Sequence, residues 1–292
     1  MASAATSARS ASEAARILLG PPVRHDAPPS PAPKRVLAIA GSDSGGGAGI
    51  QADLKALARC GVHGMTAITA VTAQNTVEVT AVYPLPPEAI VEQVRAVASD
   101  IGVDAVKIGM LGTAETVGAV ERALDETGVA PVVLDPVMVA ESGAILLDDA
   151  AREALVTRLL PLAAVVTPNL AEARVLAGAG DELDPEELAR RIHALGSRAV
   201  VVTGGHRSEA TDLFFAGDEM VAIPGERYPD GAAHGSGCTH SSALAAHLAL
   251  GYDALDAARR AKAIAGAAVR DGLRGIGEGA GPVDVLGLAG RR

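Results

Sequence analysis

Tryptophan is absent from this 292-residue chain, and aromatic residues together make up 2% of it. A core must therefore come from Ala, Val, Leu and Ile, and the stacking platforms that grip single-stranded nucleic acid are missing. Positive charge is also in deficit: 25 Lys and Arg face 35 Asp and Glu, a formal net charge of −10. Nucleic acid and anionic membrane surfaces are repelled on average, which leaves a small molecule as the expected partner, any anionic one being held by local dipoles and a metal. The two cysteines, Cys60 and Cys238, form no CxxC or Cys/His zinc spacing, so a reducing, cytoplasmic setting is the simplest expectation. No apolar run nears the ~20 residues that span a bilayer.

What is present is ample apolar content, 49% of the chain, with nothing in its middle that reads as a linker. One α/β domain over 34–292 is expected, preceded by an Ala/Ser/Pro-rich extension over 1–33. That extension holds Arg9, Arg16 and Arg24 and faintly resembles a transit peptide, but its prolines favour a disordered segment.

From Lys34 the chain alternates apolar runs and helical stripes, the pattern of a parallel sheet covered on both faces. Arg35–Gly41 reads as a buried strand that opens into the glycine-dense loop Ser42–Gly49. The helix after it shows an Ile50, Leu54, Leu57 stripe with Asp53 on a neighbouring face. Gly47–Ala52 fits a loose dinucleotide fingerprint, yet the next strand ends in Ala73-Gln74-Asn75 without the acid a ribose wants. No Lys follows the glycines, so there is no P-loop. Strands Met65–Thr72 and Val77–Val82 place Gln74 in a turn, as a projecting side chain or a plain turn residue. Strand Val103–Ile108 leads to Gly109 and Met110, and strand Val132–Leu134 leads to Asp135. Strand Ala163–Val166 leads to Asn169 and Glu172. Ligands of open α/β sheets gather at such carboxyl ends. Asn169 and Glu172 offer hard oxygens for Mg²⁺, or form a capping box and no more. Strand Ala199–Thr203 ends at Gly204-Gly205, and a last helix, Asp253–Gly272, carries Lys262.

The segment His234–Ser242, HGSGCTHSS, runs a glycine turn into a helix. Free amides and the positive end of the helix dipole let Gly235, Ser236, Gly237 and Cys238 face one anionic point, such as a phosphate in transfer. A helix start also lowers a thiol pKa, which makes Cys238 a usable base; the alternative is a glycine cap beside an inert buried thiol. His234 and His240 flank Cys238, so a cysteine hydrolase is a second class, and a non-catalytic binding module a third.

Taken together, AGSDSGGGAGIQADLK, VTAQNT, VKIGMLG, VLDPVMVAESG, TPNLAEA and HGSGCTHSSA resemble, in order and spacing, the hydroxymethylpyrimidine/phosphomethylpyrimidine kinases of the ribokinase-like superfamily. The resemblance covers about Lys34 to the end and implies a three-layer α/β/α fold with a mostly parallel central sheet, in a homodimer. It implies transfer of the ATP γ-phosphate to a hydroxymethylpyrimidine and then to its monophosphate. Gly235–Cys238 would form the anion hole, with Cys238 as base. Asp53, Gln74 and Met110, with Gly41 and Ala48, would line the pyrimidine pocket, which Val137 would close. Asp135, Asn169 and Glu172 would organise Mg²⁺, with Asn169, Thr203 and Lys262 on the nucleotide side. Thr203 stands where many relatives have Lys, and the tail Gly275–Asp284 departs from the usual ending. Pyridoxal kinases share the cysteine-type anion hole and supply the alternative substrate.

Overall fold

A computed structural model describes residues 32–204, 210–229 and 231–290. The expected extension over 1–33 lies outside the described residues except at its last two positions, as does Gly205. One nine-stranded sheet runs in the order β3-β2-β1-β4-β5-β6-β7-β8-β9. Its strands are β1 (Arg35–Asp43), β2 (His63–Gln74), β3 (Val79–Pro84), β4 (Ala105–Ile108), β5 (Val132–Leu134), β6 (Val165–Val166), β7 (Val200–Val202), β8 (Asp212–Ala216) and β9 (Glu219–Ile223). The six strands from β2 to β7 pair in parallel, while β3, β8 and β9 pair antiparallel at the edges.

Because successive strand residues point to opposite faces, the short apolar strands feed two cores. Leu37, Ile39, Val106, Ile108, Val132 and Leu134 enter one of them. That core is covered by α2 (Pro87–Asp100), α3 (Ala114–Thr127), α4 (Asp149–Ala154), α5 (Leu170–Leu176) and α6 (Pro185–Ala194). Val36, Ala105, Val133, Val165 and Val201 enter the other, under α1 (Gly49–Arg59), α7 (Ser236–Ala249) and α8 (Ala254–Arg270). Alanine dominates the second core, so α7 and α8 pack closely on the sheet, with Phe214 of β8 as an aromatic member. The expected three layers are therefore observed. Among the described residues no helix is long and apolar enough to cross a membrane.

Two readings change. On α1 the inward residues are Ile50, Asp53 and Leu57, and Leu54 is 37% exposed, because a cation beneath the helix lets a carboxylate take the buried position. Gln74 closes β2 instead of sitting in the turn, because its backbone pairs with Val79 past a register shift in the hairpin. The sequence reading also passed over α4 and the wider π turn (Leu155–Leu159) and tighter 3-10 turn (Leu160–Leu162, with Pro161) that extend it.

Leu134 is fully buried in the middle of the sheet. Leu134→Ala is expected to cost about 2–5 kcal/mol, by removing packed methyl groups and leaving a cavity. Urea unfolding of both proteins measures it, and a loss well under 1 kcal/mol would mean that the centre of the sheet is loosely packed.

Candidate active site

The carboxyl ends of the parallel strands open into one cleft of about 630 Å³. Gly41, Ala48, Gln74, Met110 and Val137 lie along it, as do Asp135, Asn169, Glu172, Thr203, Lys262 and the stretch Gly235–Cys238. Among the expected site residues, Asp53 does not reach it. Its side chain is fully buried behind the wall, bonded to Lys107 Nζ at 2.8 Å and to the Ser242 hydroxyl at 2.8 Å. The expectation that Asp53 lines a pyrimidine pocket is thus corrected: its charge is spent on holding a buried ammonium.

Lys107 is itself fully buried on β4, and its Nζ lies 4.0 Å from Asp135 Oδ2. Burial alone would lower its pKa, but the charges of Asp53 and Asp135 raise it, so the ammonium persists. Burial pushes the carboxyl of Asp135 upward against the pull of Lys107 and of the Ser241 hydroxyl, which donates to its Oδ2 at 2.9 Å.

The glycine loop is organised by Asp43. Its Oδ1 accepts the Gly45 amide at 2.8 Å, and its Oδ2 accepts the amides of Gly47 and Ala48 at 3.0 and 2.8 Å and His234 Nε2–H at 3.2 Å. Burial opposes ionisation, yet the bonds from His234, Ala48 and Gly45 outweigh it and hold this carboxyl below its ordinary range. Ser44 fastens the loop to the end of β2, donating to the Gln74 carbonyl and accepting from the Gln74 amide. The Thr72 hydroxyl donates to Gln74 Oε1 at 3.1 Å, while Gln74 Nε2 has no partner among the described residues.

Gly235 caps α7 with φ +83°, a conformation that favours glycine, and a Cβ there would strike the Gly47 carbonyl. The Ser236 amide donates to Ala233 O, so it is withdrawn from the expected anion hole. The amides of Gly237 and Cys238 keep no partner among the described residues and remain the usable donors of this helix start. The expected low thiol pKa is also corrected. Burial pushes Cys238 up to about 12, and the carboxylates of Asp53 and Asp135 oppose the favourable charge of Lys107. A helix dipole weakens within one turn and cannot offset that desolvation. Nor is a Cys/His nucleophile pair formed, since His234 faces Asp43 and His240 lies 3.3 Å from Asp212.

Asn169 and Glu172 do form the capping box: Asn169 Oδ1 accepts the Glu172 amide at 3.0 Å and Glu172 Oε2 accepts the Asn169 amide at 2.9 Å. The capping alternative is thus formed, and Glu172 is also buried beside the cleft. Its carboxyl is pushed up to about 8 by burial and by the charge of Asp135, against the pull of the Asn169 and Met138 amides. Two hard carboxylates that repel one another beside the cleft fit a divalent cation that keeps most of its water. Thr203 bridges to Asn169 through the backbone at the tip of β7. Lys262 donates to Asp212 Oδ1 at 2.5 Å, and the Gly204 amide donates to the same oxygen at 2.8 Å.

Sequence reasoning missed Ser241, Ser242 and Asp212 as partners, and it gave no role to Lys107. A lysine inside the apolar run Ala105–Ile108 was the available signal, because a charge on a doubly covered strand needs a counter-charge.

With Cys238 pushed up to about 12 and Cys60 up to about 11, neither thiol is ionised at neutral pH. Iodoacetamide labelling of the folded protein is expected to speed up about tenfold per pH unit from pH 7 to 10, tracking the thiolate fraction. Mass spectrometry of the two cysteine peptides checks this. Fast labelling of Cys238 at pH 7, or a plateau near pH 8.5, would restore the low-pKa thiol.

A family model described as phosphomethylpyrimidine kinase matches residues 43–284. A hydroxymethylpyrimidine/phosphomethylpyrimidine kinase of Rhizobium meliloti is 52% identical over 253 residues, covering 85% of this chain and 95% of that protein. Among solved structures, a Bacillus subtilis pyridoxal kinase in an ADP complex superposes with TM-score 0.81 at 36% identity, covering 88% of this chain and 99% of that one. The phosphomethylpyrimidine kinase of Clostridium difficile 630 superposes with TM-score 0.70 at 40% identity, covering 79% and 96%. With a ribokinase-like three-layer fold, a cleft at its strand ends and these relatives, the chain belongs to the phosphomethylpyrimidine kinase family.

Proposed function

We propose that this protein transfers the γ-phosphate of ATP to 4-amino-5-hydroxymethyl-2-methylpyrimidine and then to the resulting monophosphate, as in thiamin biosynthesis. The observation that carries the reading is one cleft, in a member of this family, that holds both the Gln74 amide and the unpartnered amides of Gly237 and Cys238. Phosphoryl transfer asks a protein mainly for positioning and for charge stabilisation on the moving group. The two amides at the start of α7 serve that second need, aimed where negative charge grows. Asp135 and Glu172, with Asn169, would hold Mg²⁺ through water, and the ion would neutralise charge on the phosphates. Lys262, fixed by Asp212, and Thr203 serve the nucleotide side.

Gln74 is assigned the choice of substrate. An aminopyrimidine edge presents a donor beside an acceptor, and Gln74 Nε2 is free to answer the acceptor. Pyridoxal lacks that edge, and leaving Gln74 unpaired would cost roughly 1–3 kcal/mol. Likeness to a solved pyridoxal kinase favours that vitamin as the second reading. Cys238 is assigned as proton acceptor through its small thiolate fraction, which burial suppresses and the Lys107 charge favours. A homodimer in the cytoplasm completes the proposal on the strength of the resemblance, and sedimentation would give the subunit number.

Incubation with ATP and Mg²⁺ and either hydroxymethylpyrimidine, its monophosphate or pyridoxal, followed by product analysis, is expected to show two successive phosphorylations of the pyrimidine. Phosphorylation of pyridoxal alone would transfer the assignment to the second reading. Gln74→Glu is expected to lower kcat/KM for the pyrimidine about ten- to a hundredfold while leaving the KM for ATP near its starting value. Equal losses for pyrimidine and pyridoxal would remove Gln74 from specificity.

A thiol held at about 12 yields ten times more thiolate with each pH unit, so kcat is expected to climb through pH 7–9. In Cys238→Ala the rate should drop on the order of 10²–10⁴, the usual worth of a positioned base, and the slope should vanish. A slope that survives in the variant would place the base elsewhere.

A further inference from the structure

Three separated segments meet at His234, and none of the roles described above uses that residue. Its buried ring, 8% exposed, donates from Nε2 to the Asp43 carboxylate that gathers the Gly45, Gly47 and Ala48 amides. The ring also packs on Gly47 so tightly that a Cβ there would collide with it. Its backbone amide donates to Gly281 O, and its carbonyl accepts the Val283 amide, which pins the glycine-rich tail to the same point. The next residue is Gly235, the cap of α7, which lies against the Gly47 carbonyl.

We propose that His234 and Asp43 form a clasp that sets the glycine loop at a fixed distance from the start of α7, and so positions the acceptor hydroxyl against the phosphoryl group. The two ends of the clasp belong to the two sides of the reaction. Asp43 fixes Ala48 and the loop tied through Ser44 to Gln74, while His234 fixes the first residue of the turn that presents the Gly237 and Cys238 amides. Neither side chain needs to touch the reacting atoms, so both are positioning residues. The α1 helix holds the loop from the other side: Gln51 Oε1 accepts the Asp43 amide at 3.0 Å, and Lys55 Nζ donates to Gly46 O at 2.7 Å. The loop therefore keeps its own shape when the clasp is cut, and what changes is its distance from α7. A displacement of about 1 Å between reacting groups can cost on the order of 10²-fold in rate while each substrate still binds.

This inference rests on the kinase reading, so the test carries one readout that does not depend on activity. His234→Leu removes the donor at similar size, and His234→Gln returns an N–H near the Nε2 position. In His234→Leu, kcat is expected to fall about ten- to a hundredfold, with KM for ATP and for the pyrimidine within about twofold of wild type. His234→Gln is expected to recover most of that loss. Asp43→Asn combined with His234→Leu should be little worse than the worse single variant, because both cut one bond. Amide hydrogen exchange should accelerate together in the 44–48 segment and in the Ser236 turn segment of His234→Leu, in the absence of any substrate. Unchanged exchange in either segment overturns the clasp, whatever the enzyme does. A variant with normal kcat and raised KM, a Gln variant as slow as Leu, or additive losses would overturn it as well. An inactive wild type with the expected exchange would instead strike at the kinase reading.

Discussion

A fully buried ammonium is the constraint around which the catalytic end of this protein is built. Lys107 stands on a strand covered on both faces, where an unpaired charge would cost several kcal/mol, so the surroundings must supply carboxylates. Asp53 answers from α1 and Asp135 from the end of β5. Ser242 and Ser241, neighbours on α7, each donate to one of those carboxylates. Two strands and two helices are thereby fixed to one cation, directly beneath the turn that presents the Gly237 and Cys238 amides. The rest of the cleft is arranged on that floor.

The topology explains why the cleft lies where it does. Parallel strands end together, and six strands in parallel bring Asp43, Gln74, Met110, Asp135, Asn169 and Thr203 to one rim, although they span much of the chain. The same geometry sets Lys262 apart from Gln74. Lys262 comes from α8 and is anchored by Asp212 at the start of β8, whereas Gln74 comes from the far end of β2.

Much of this was legible in the sequence because periodicity and strand-end residues are local signals. Alternating helical stripes and short Val/Ile runs give the parallel sheet, and Asp135, Asn169 and Glu172 lie where such a sheet collects ligands. Asp53 shows what a local signal cannot carry. Its burial depends on a lysine 54 positions away, and no helical stripe reports such a partner. Cys238 fails for a related reason, since its place at a helix start is visible in sequence while the desolvation that dominates its pKa is a property of the closed fold. Asn169 and Glu172 show a third case, in which the capping box the sequence offers does form, on two side chains that also lie along the cleft.

The measurement that bears most directly on the central claim is a stability cycle on the buried pair. Lys107→Met strands two buried carboxylates and should cost about 3–5 kcal/mol in urea unfolding at pH 7. Adding Asp53→Asn removes one stranded charge, so the double variant should be more stable than Lys107→Met alone. A Lys107→Met protein as stable as wild type, or losses that merely add, would contradict the account of a site built upon a compensated buried cation.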